Sequence, residues 1–189
     1  MPPRSSRRRP AAAGATFAHR DGRGFAVRIA AGAGPAIREA QFQRLIRDEV
    51  VCGRNTWSDA LYVVVRDPAS AASIALEILE ALHGVAIGPA PSEEAEGIGI
   101  GLHFGPVYQE VDRVTGKDGF YGSEVTLTAR IEPRTLPGEI LTTQAFAAIL
   151  AVTEPSRFNA RYVGRIELAK GYGILPIYRL ERGSEEAPP

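Results

Sequence analysis

Residues Gly99–Pro137 (GIGLHFGPVYQEVDRVTGKDGFYGSEVTLTARIEPRTLP) constrain the fold more than any other stretch of this chain. They read as an apolar strand, a tight loop, a second short strand and a polar hairpin tip. A glycine, Gly122, then opens a short helix that carries Arg130. A glycine-opened helix with an arginine inside it suits an anionic, oxygen-rich ligand.

The flanking sequence points to a mixed architecture. Gly24–Ala30 reads as a short strand. Apolar residues at Ile37, Ala40, Leu45, Ile46 and Val50 predict a helix over Ala36–Val51. Leu61–Val65 suits a buried strand. Asp67-Pro68 places a cap and a first-turn proline before a helix with an apolar stripe at Ala71, Ile74, Ala75, Ile78, Leu79 and Leu82, ended by Gly84. Gly88–Gly97 is a loop by composition. Ile98–Leu102 and Val107–Val111 are expected to pair as strands, and Ser123–Ile131 to form a helix stopped at Pro133. After the Pro137-Gly138 turn come a strand at Glu139–Thr142 and a helix at Gln144–Leu150. An antiparallel pair, Tyr162–Leu168 and Leu175–Leu180, closes around Lys170-Gly171. Strands and helices alternate, with hairpins between strands. That favours an α+β sandwich of the split β-α-β type over a doubly wound parallel sheet. No G-x-G-x-x-G or P-loop pattern is present.

A chain of 189 residues is long enough for one domain with a real core. The expected domain is 24–182, between a disordered basic tail at 1–23 and a disordered tail at 183–189. Lys plus Arg and Asp plus Glu both total 22, so net charge argues for neither a nucleic-acid nor a membrane partner. Arg4, Arg7, Arg8, Arg9, Arg20 and Arg23 crowd the start, with Asp21 as the one acid, and read as a solvated tail. No apolar run there suits a signal peptide or a spanning helix. Cys52 is the single cysteine, which excludes an intrachain disulfide and fits a reducing, cytoplasmic location.

Several segments, taken in order over Arg54–Leu180, are similar to those of one family. Asn55-Thr56-Trp57-Ser58-Asp59-Ala60 resembles a hairpin turn usually written with Gly-Asp. Leu102-His103-Phe104-Gly105-Pro106-Val107 follows, then Gly122-Ser123-Glu124-Val125-Thr126-Leu127-Thr128-Ala129-Arg130. Pro137-Gly138-Glu139-Ile140, Ala169-Lys170-Gly171 and Pro176-Ile177-Tyr178 complete the set. Together they resemble the catalytic domain of class III adenylate and guanylate cyclases. These enzymes turn a nucleoside triphosphate into a 3′,5′-cyclic nucleotide and pyrophosphate. The resemblance implies a ferredoxin-like split β-α-β sandwich of the nucleotidyl cyclase type.

The resemblance also implies roles. Asp59 matches the second of two aspartates that hold a pair of Mg²⁺ or Mn²⁺ ions. The first should lie near Phe17–Phe25, where His19 stands in the aspartate's place and Asp21 is nearby. Either the pattern is shifted there or that aspartate is missing. Arg130 matches the arginine that stabilises the transferring phosphate, and Lys170 a basic position near the triphosphate. Thr126 stands where the family has the asparagine that orients the ribose. Asn55 takes the first base-choosing position. The second falls at Gly119, or at Asp118 if the loop shifts by one. Asn offers both a donor and an acceptor, so it does not choose the base. Asp118 would accept from an adenine amino group, which leans the reading weakly to ATP.

His103 is expected to be a buried, hydrogen-bonded structural residue, His83 a partner of its helix dipole, and Trp57 a packing or dimer contact. The family's active sites lie between two subunits, so the leading expectation is a homodimeric cyclase. The alternative is a catalytically impaired, cyclase-like domain that binds a nucleotide or dimerises as a regulatory module. Ser58, Thr126 and the uncertain first aspartate favour it. A nucleic-acid-binding role rests on the arginine-rich start alone.

Overall fold

The computed structural model describes residues 24–30, 50–57, 60–81, 98–114, 116 and 118–183, with 24–30 and 55–57 described by backbone only. The expected tail at 1–23, all but Gly183 of the expected tail at 183–189, the loop at 88–97, His19, Asp21, Asp59, His83 and most of the expected helix at Ala36–Val51 lie outside the described residues.

Among the described residues seven strands form the main sheet in the order β2-β3-β1-β4-β7-β9-β8. They are β1 (Gly24–Ala30), β2 (Val51–Trp57), β3 (Ala60–Val65), β4 (Gly99–Gly105), β7 (Ile140–Thr143), β8 (Phe158–Glu167) and β9 (Ile174–Arg182). A separate two-stranded hairpin pairs β5 (Tyr108–Val111) with β6 (Asp118–Tyr121). Strands β2-β3-β1-β4 give the order expected of a ferredoxin-like split β-α-β unit. β1 lies antiparallel between β3 and β4, and β3 lies antiparallel to β2. On the far side β4 pairs in parallel with β7, and the antiparallel β9 and β8 extend the sheet.

Among the described residues three helices cover the sheet: α1 (Pro68–Ala81), α2 (Ser123–Ile131) and α3 (Gln144–Thr153). Helix α1 begins as its sequence implies. Asp67 Oδ1 accepts from the Ser70 amide at 2.8 Å and Oδ2 from the Ser70 hydroxyl at 2.8 Å, and Pro68 takes the first helical position. Its buried stripe meets Val63, Val65, Ile100, Leu102 and Ile140 of the sheet, with Phe146 and Leu150 of α3, in the main core. Helix α2 lies on the opposite face. There Tyr62, Val64, Val107 and Val125 form one small cluster, and Leu127, Ile131, Leu141, Leu168 and Ile177 another.

The two faces of β4 differ in kind. Ile100 and Leu102 point into the main core and are fully buried. On the α2 side the alternate residues are Gly99, Gly101, His103 and Gly105. A Cβ at Gly99 would stand 2.6 Å from the Thr135 carbonyl oxygen, at Gly101 3.0 Å from the Glu132 amide nitrogen, and at Gly105 2.5 Å from Glu124 Cγ. The turn after the helix therefore rests almost directly on the strand's backbone, and the Glu124 side chain of the helix fills the space over Gly105.

Two expectations need correction. Ile98–Leu102 and Val107–Val111 do not pair with each other. β4 is buried on both faces and flanked by β1 and β7, so it has no free edge. The largely exposed β5 folds onto β6 instead. Val51 also does not end a helix but starts β2, a strand shaped by its pairing with β3 and by the Phe120 ring lying over Gly53.

The glycine face makes a direct stability prediction. Gly99→Ala and Gly101→Ala each force the 131–135 segment away from the sheet and cost about 1–3 kcal/mol, the usual range for overpacking. Urea unfolding measures this. A loss under about 0.5 kcal/mol would show that α2 does not depend on the bare backbone.

Candidate active site

Helix α2 turns Val125, Leu127, Thr128, Ala129 and Ile131 inward, all of them buried. Thr126, exposed, and Arg130, half-buried, sit four residues apart on its outer side. The Thr126 hydroxyl lies 3.4 Å from the Gly122 carbonyl oxygen, so its single donor is turned toward the helix backbone. Gly122 opens the helix with φ of 139°, a conformation that favours glycine.

Lys170 occupies the short 3₁₀ turn Ala169–Gly171 between β8 and β9, exposed and with φ of 60°. That turn packs against α2, and buried Leu168 just before it joins the cluster of Leu127 and Ile131. Among the described residues neither Arg130 nor Lys170 has an ion-pair partner. Arg157, Arg161 and Arg182 pair with Glu154, Glu181 and Glu80, and Arg179 with Glu139.

On the other flank of α2, β6 contacts both the helix and β2. Phe120 covers Gly53. Asn55 lies two residues along β2 from that contact, and exposed Asp118 two residues along β6. Three groups thus follow one another across the sheet: Asn55 and Asp118, then Thr126 and Arg130, then Lys170. The structure brings Thr126 and Arg130 onto one helical stripe and sets the Lys170 turn beside it. Asn55 is on an edge strand at the opposite side of the sheet from Lys170.

Beneath α2 lies a polar cluster that sequence reading found only in part. His103 is buried, as expected. Its Nδ1 is 2.7 Å from Thr143 Oγ1, and its Nε2 is 2.5 Å from Glu124 Oε2. Ser123 donates to Glu124 Oε1 at 2.8 Å. Burial holds the His103 pKa below its usual value, and the hydrogen bond and charge of Glu124 pull the other way. Helix-start glutamates are common, and nothing local to Glu124 reveals a partner 21 residues back on another strand.

A model of the adenylate and guanylate cyclase catalytic domain matches residues 38–182. The chain belongs to this family. The fold is also that of solved cyclase domains. The guanylate cyclase domain of RhGC from Catenaria anguillulae, in complex with GTP, aligns with a TM-score of 0.67 at 18% identity, over 86% of this chain and 98% of that one. An adenylate cyclase from Trypanosoma brucei in its monomeric state aligns at 0.65 and 17%, over 85% and 90%. The adenylyl cyclase CyaB from P. aeruginosa aligns at 0.62 and 13%, over 88% and 97%. A search of curated proteins finds no match.

Cyclases of this family use divalent metals. Among the described residues no three His, Cys, Asp or Glu side chains gather closely enough to hold a metal ion. The expected ligand, Asp59, is not among them. No helix among the described residues is long and apolar enough to cross a membrane.

A pH prediction follows from the buried imidazole of this cyclase domain. A histidine whose folded pKa is depressed gives its full stability above the unfolded value of about 6.5 and loses it as pH falls toward the folded pKa. Urea midpoints at pH 7.5 and 5.5 should therefore drop more in the wild type than in His103→Gln. An equal or larger drop in the variant would mean that His103 is not held neutral.

Proposed function

We propose that this domain, spanning residues 24–182, is a nucleotidyl cyclase that converts a nucleoside triphosphate, ATP in preference to GTP, to its 3′,5′-cyclic nucleotide and pyrophosphate. The observation that carries the reading is the order of the three groups across the sheet. It matches base, ribose with α-phosphate, and the remaining phosphates of an extended nucleotide. Asn55 and Asp118 are assigned to the base, Thr126 to the ribose, Arg130 to the α-phosphate and Lys170 to the β- and γ-phosphates.

In the reaction the ribose 3′-oxygen attacks the α-phosphorus in line, and the bond from that phosphorus to the bridging oxygen of the leaving pyrophosphate breaks. The protein's task is positioning and charge neutralisation. Arg130 can clamp phosphate oxygens with a planar fork, and Lys170 adds a point charge. Mg²⁺ or Mn²⁺ would supply further charge neutralisation, with Asp59, which lies between β2 and β3 in the sequence, assigned to hold it.

A second copy of the chain completes this reading. Thr126 and Arg130 face outward, and the neighbouring hairpin exposes Tyr108 at 65%, Val111 at 54% and Tyr121 at 44% of their surface. An apolar rim beside a polar stripe suits closure by another subunit. A homodimer that shares its sites, with metal ligands from one chain and Arg130 from the other, follows. The Thr126 hydroxyl, turned to the Gly122 carbonyl of its own helix, is the observation that favours the second reading, a nucleotide-binding or dimerising domain with impaired catalysis.

Purified protein with ATP or GTP and Mn²⁺ should yield cyclic product, faster from ATP. Arg130→Ala should lower kcat by roughly 100-fold or more, and Asp59→Ala should abolish product. Mixing the two inactive variants should restore activity, because one site of each mixed dimer is intact. Nucleotide binding without any cyclic product would select the second reading, and no recovery on mixing would overturn the shared site.

A further inference from the structure

We propose that Glu124 is a positioning residue that sets where Thr126 and Arg130 stand against the nucleotide, acting through His103. The inference rests on the nucleotide reading of α2. Glu124 lies at the second helical position, and the outward stripe of Thr126 and Arg130 lies elsewhere on the helix. Its carboxylate points to the sheet, so it acts on the nucleotide-facing residues by holding the helix that carries them.

The fit is built from both sides. Glu124 lies where a Cβ on Gly105 would stand, so the glycine is what admits it. Oε2 meets His103 Nε2 and Oε1 meets the Ser123 hydroxyl. Helix α2 has no side-chain cap at Gly122, and Glu124 gives its first turn a polar tie to β4 beside the apolar packing of Val125. Glutamate in a first turn also faces the positive end of the helix dipole.

The far end of the cluster shows the same preference. Thr143 occupies the N-cap position of α3, where a threonine hydroxyl ordinarily accepts from its own helix at a gain of about 1 kcal/mol. Here it makes no such bond, and its Oγ1 lies against His103 Nδ1. A carboxylate only accepts hydrogen bonds. Nε2 must therefore carry the proton shared with Glu124, and in the neutral ring Nδ1 accepts from Thr143. Donors run in one direction, from β7 through β4 to α2. Among the described residues the charge acting on the ring is that of Glu124. The register partner of His103 on β1 is Ala26, which brings no charge.

Three proteins test this: wild type, Glu124→Ala and Glu124→Gln. Gln keeps an oxygen that can accept from Nε2, and Ala does not. Glu124→Ala should lower kcat by roughly 10–100-fold, as small misplacements of reacting groups do, with KM changed less than about twofold. Amide exchange over residues 123–131 should speed up while β3 and α1 keep their protection. Glu124→Gln should return both readouts close to wild type. If Glu124→Ala fails to fold, Thr143→Val, which leaves Nδ1 without its partner, should give the same split between kcat and KM in milder form.

Unchanged kcat and unchanged exchange in Glu124→Ala would overturn the proposal. So would a Gln variant with normal exchange but the kcat of the Ala variant, since that would place the carboxylate's charge in the chemistry itself. A wild type that makes no cyclic product defeats the cyclase reading alone. Exchange in α2, and affinity for a 3′-deoxynucleoside triphosphate that cannot cyclise, then decide the role of Glu124 in the same three proteins.

Discussion

The contact on which the rest depends is the near-bare backbone of β4 beneath α2. Three of the four residues on that face are glycines, and the segment from Glu124 to Thr135 occupies the space where their side chains would stand. Interiors are close-packed, so a strand without side chains must be filled by what lies over it. The other face of the same strand carries Ile100 and Leu102 into the main core under α1 and α3. One seven-residue strand thus sets a deep apolar layer on one side and a thin, closely held helix on the other. The thin side carries Arg130. The turn after that helix meets β4 by backbone contact, and the helix itself is held by the packed side chains of Val125, Leu127 and Ile131.

That closeness has a consequence for polar groups. His103 shares the glycine face and is sealed under α2, where an unpartnered ring nitrogen would cost about 1–3 kcal/mol. Thr143 and Glu124 meet both nitrogens. The cluster is therefore required by the packing. Because it joins β4, β7 and α2, it also makes the helix position depend on three elements at once. A fully satisfied buried network specifies one arrangement more sharply than apolar contacts alone.

Much of this was legible in the sequence, and the limits have physical causes. Helix α1 could be read because its cap, its proline and its stripe all lie within sixteen consecutive residues. Helix α2 and its i, i+4 pair of Thr126 and Arg130 were readable for the same reason. Strand β2 was not, since VCGRNTW mixes glycine, arginine and asparagine, and its strand character comes from β3 beside it and Phe120 above it. The pairing of β4 was misjudged because adjacency in sequence suggested β5, whereas burial on both faces demands neighbours on both edges. At the site, the roles proposed for Arg130 and Lys170 rest on the resemblance and not on a local pattern. Their nearness depends on Leu168 packing beside Leu127 and Ile131, which no local pattern encodes.

The charge arrangement bears on what the site would favour. Four arginines in the last third of the chain are already matched by glutamates, three of them on β8 and β9 at the sheet's far edge. Such pairs must be broken before an arginine can take an anion, and exposed pairs contribute at most about 1 kcal/mol to stability. Arg130 and Lys170 have no acid opposed to them among the described residues. A polyanion reaching α2 meets cations that need shed only water, and a half-buried Arg130 sheds less of it than an exposed one. The α2 flank thus offers an anion two cations with no acid to displace, and the glycine face of β4 helps to keep that flank in one place.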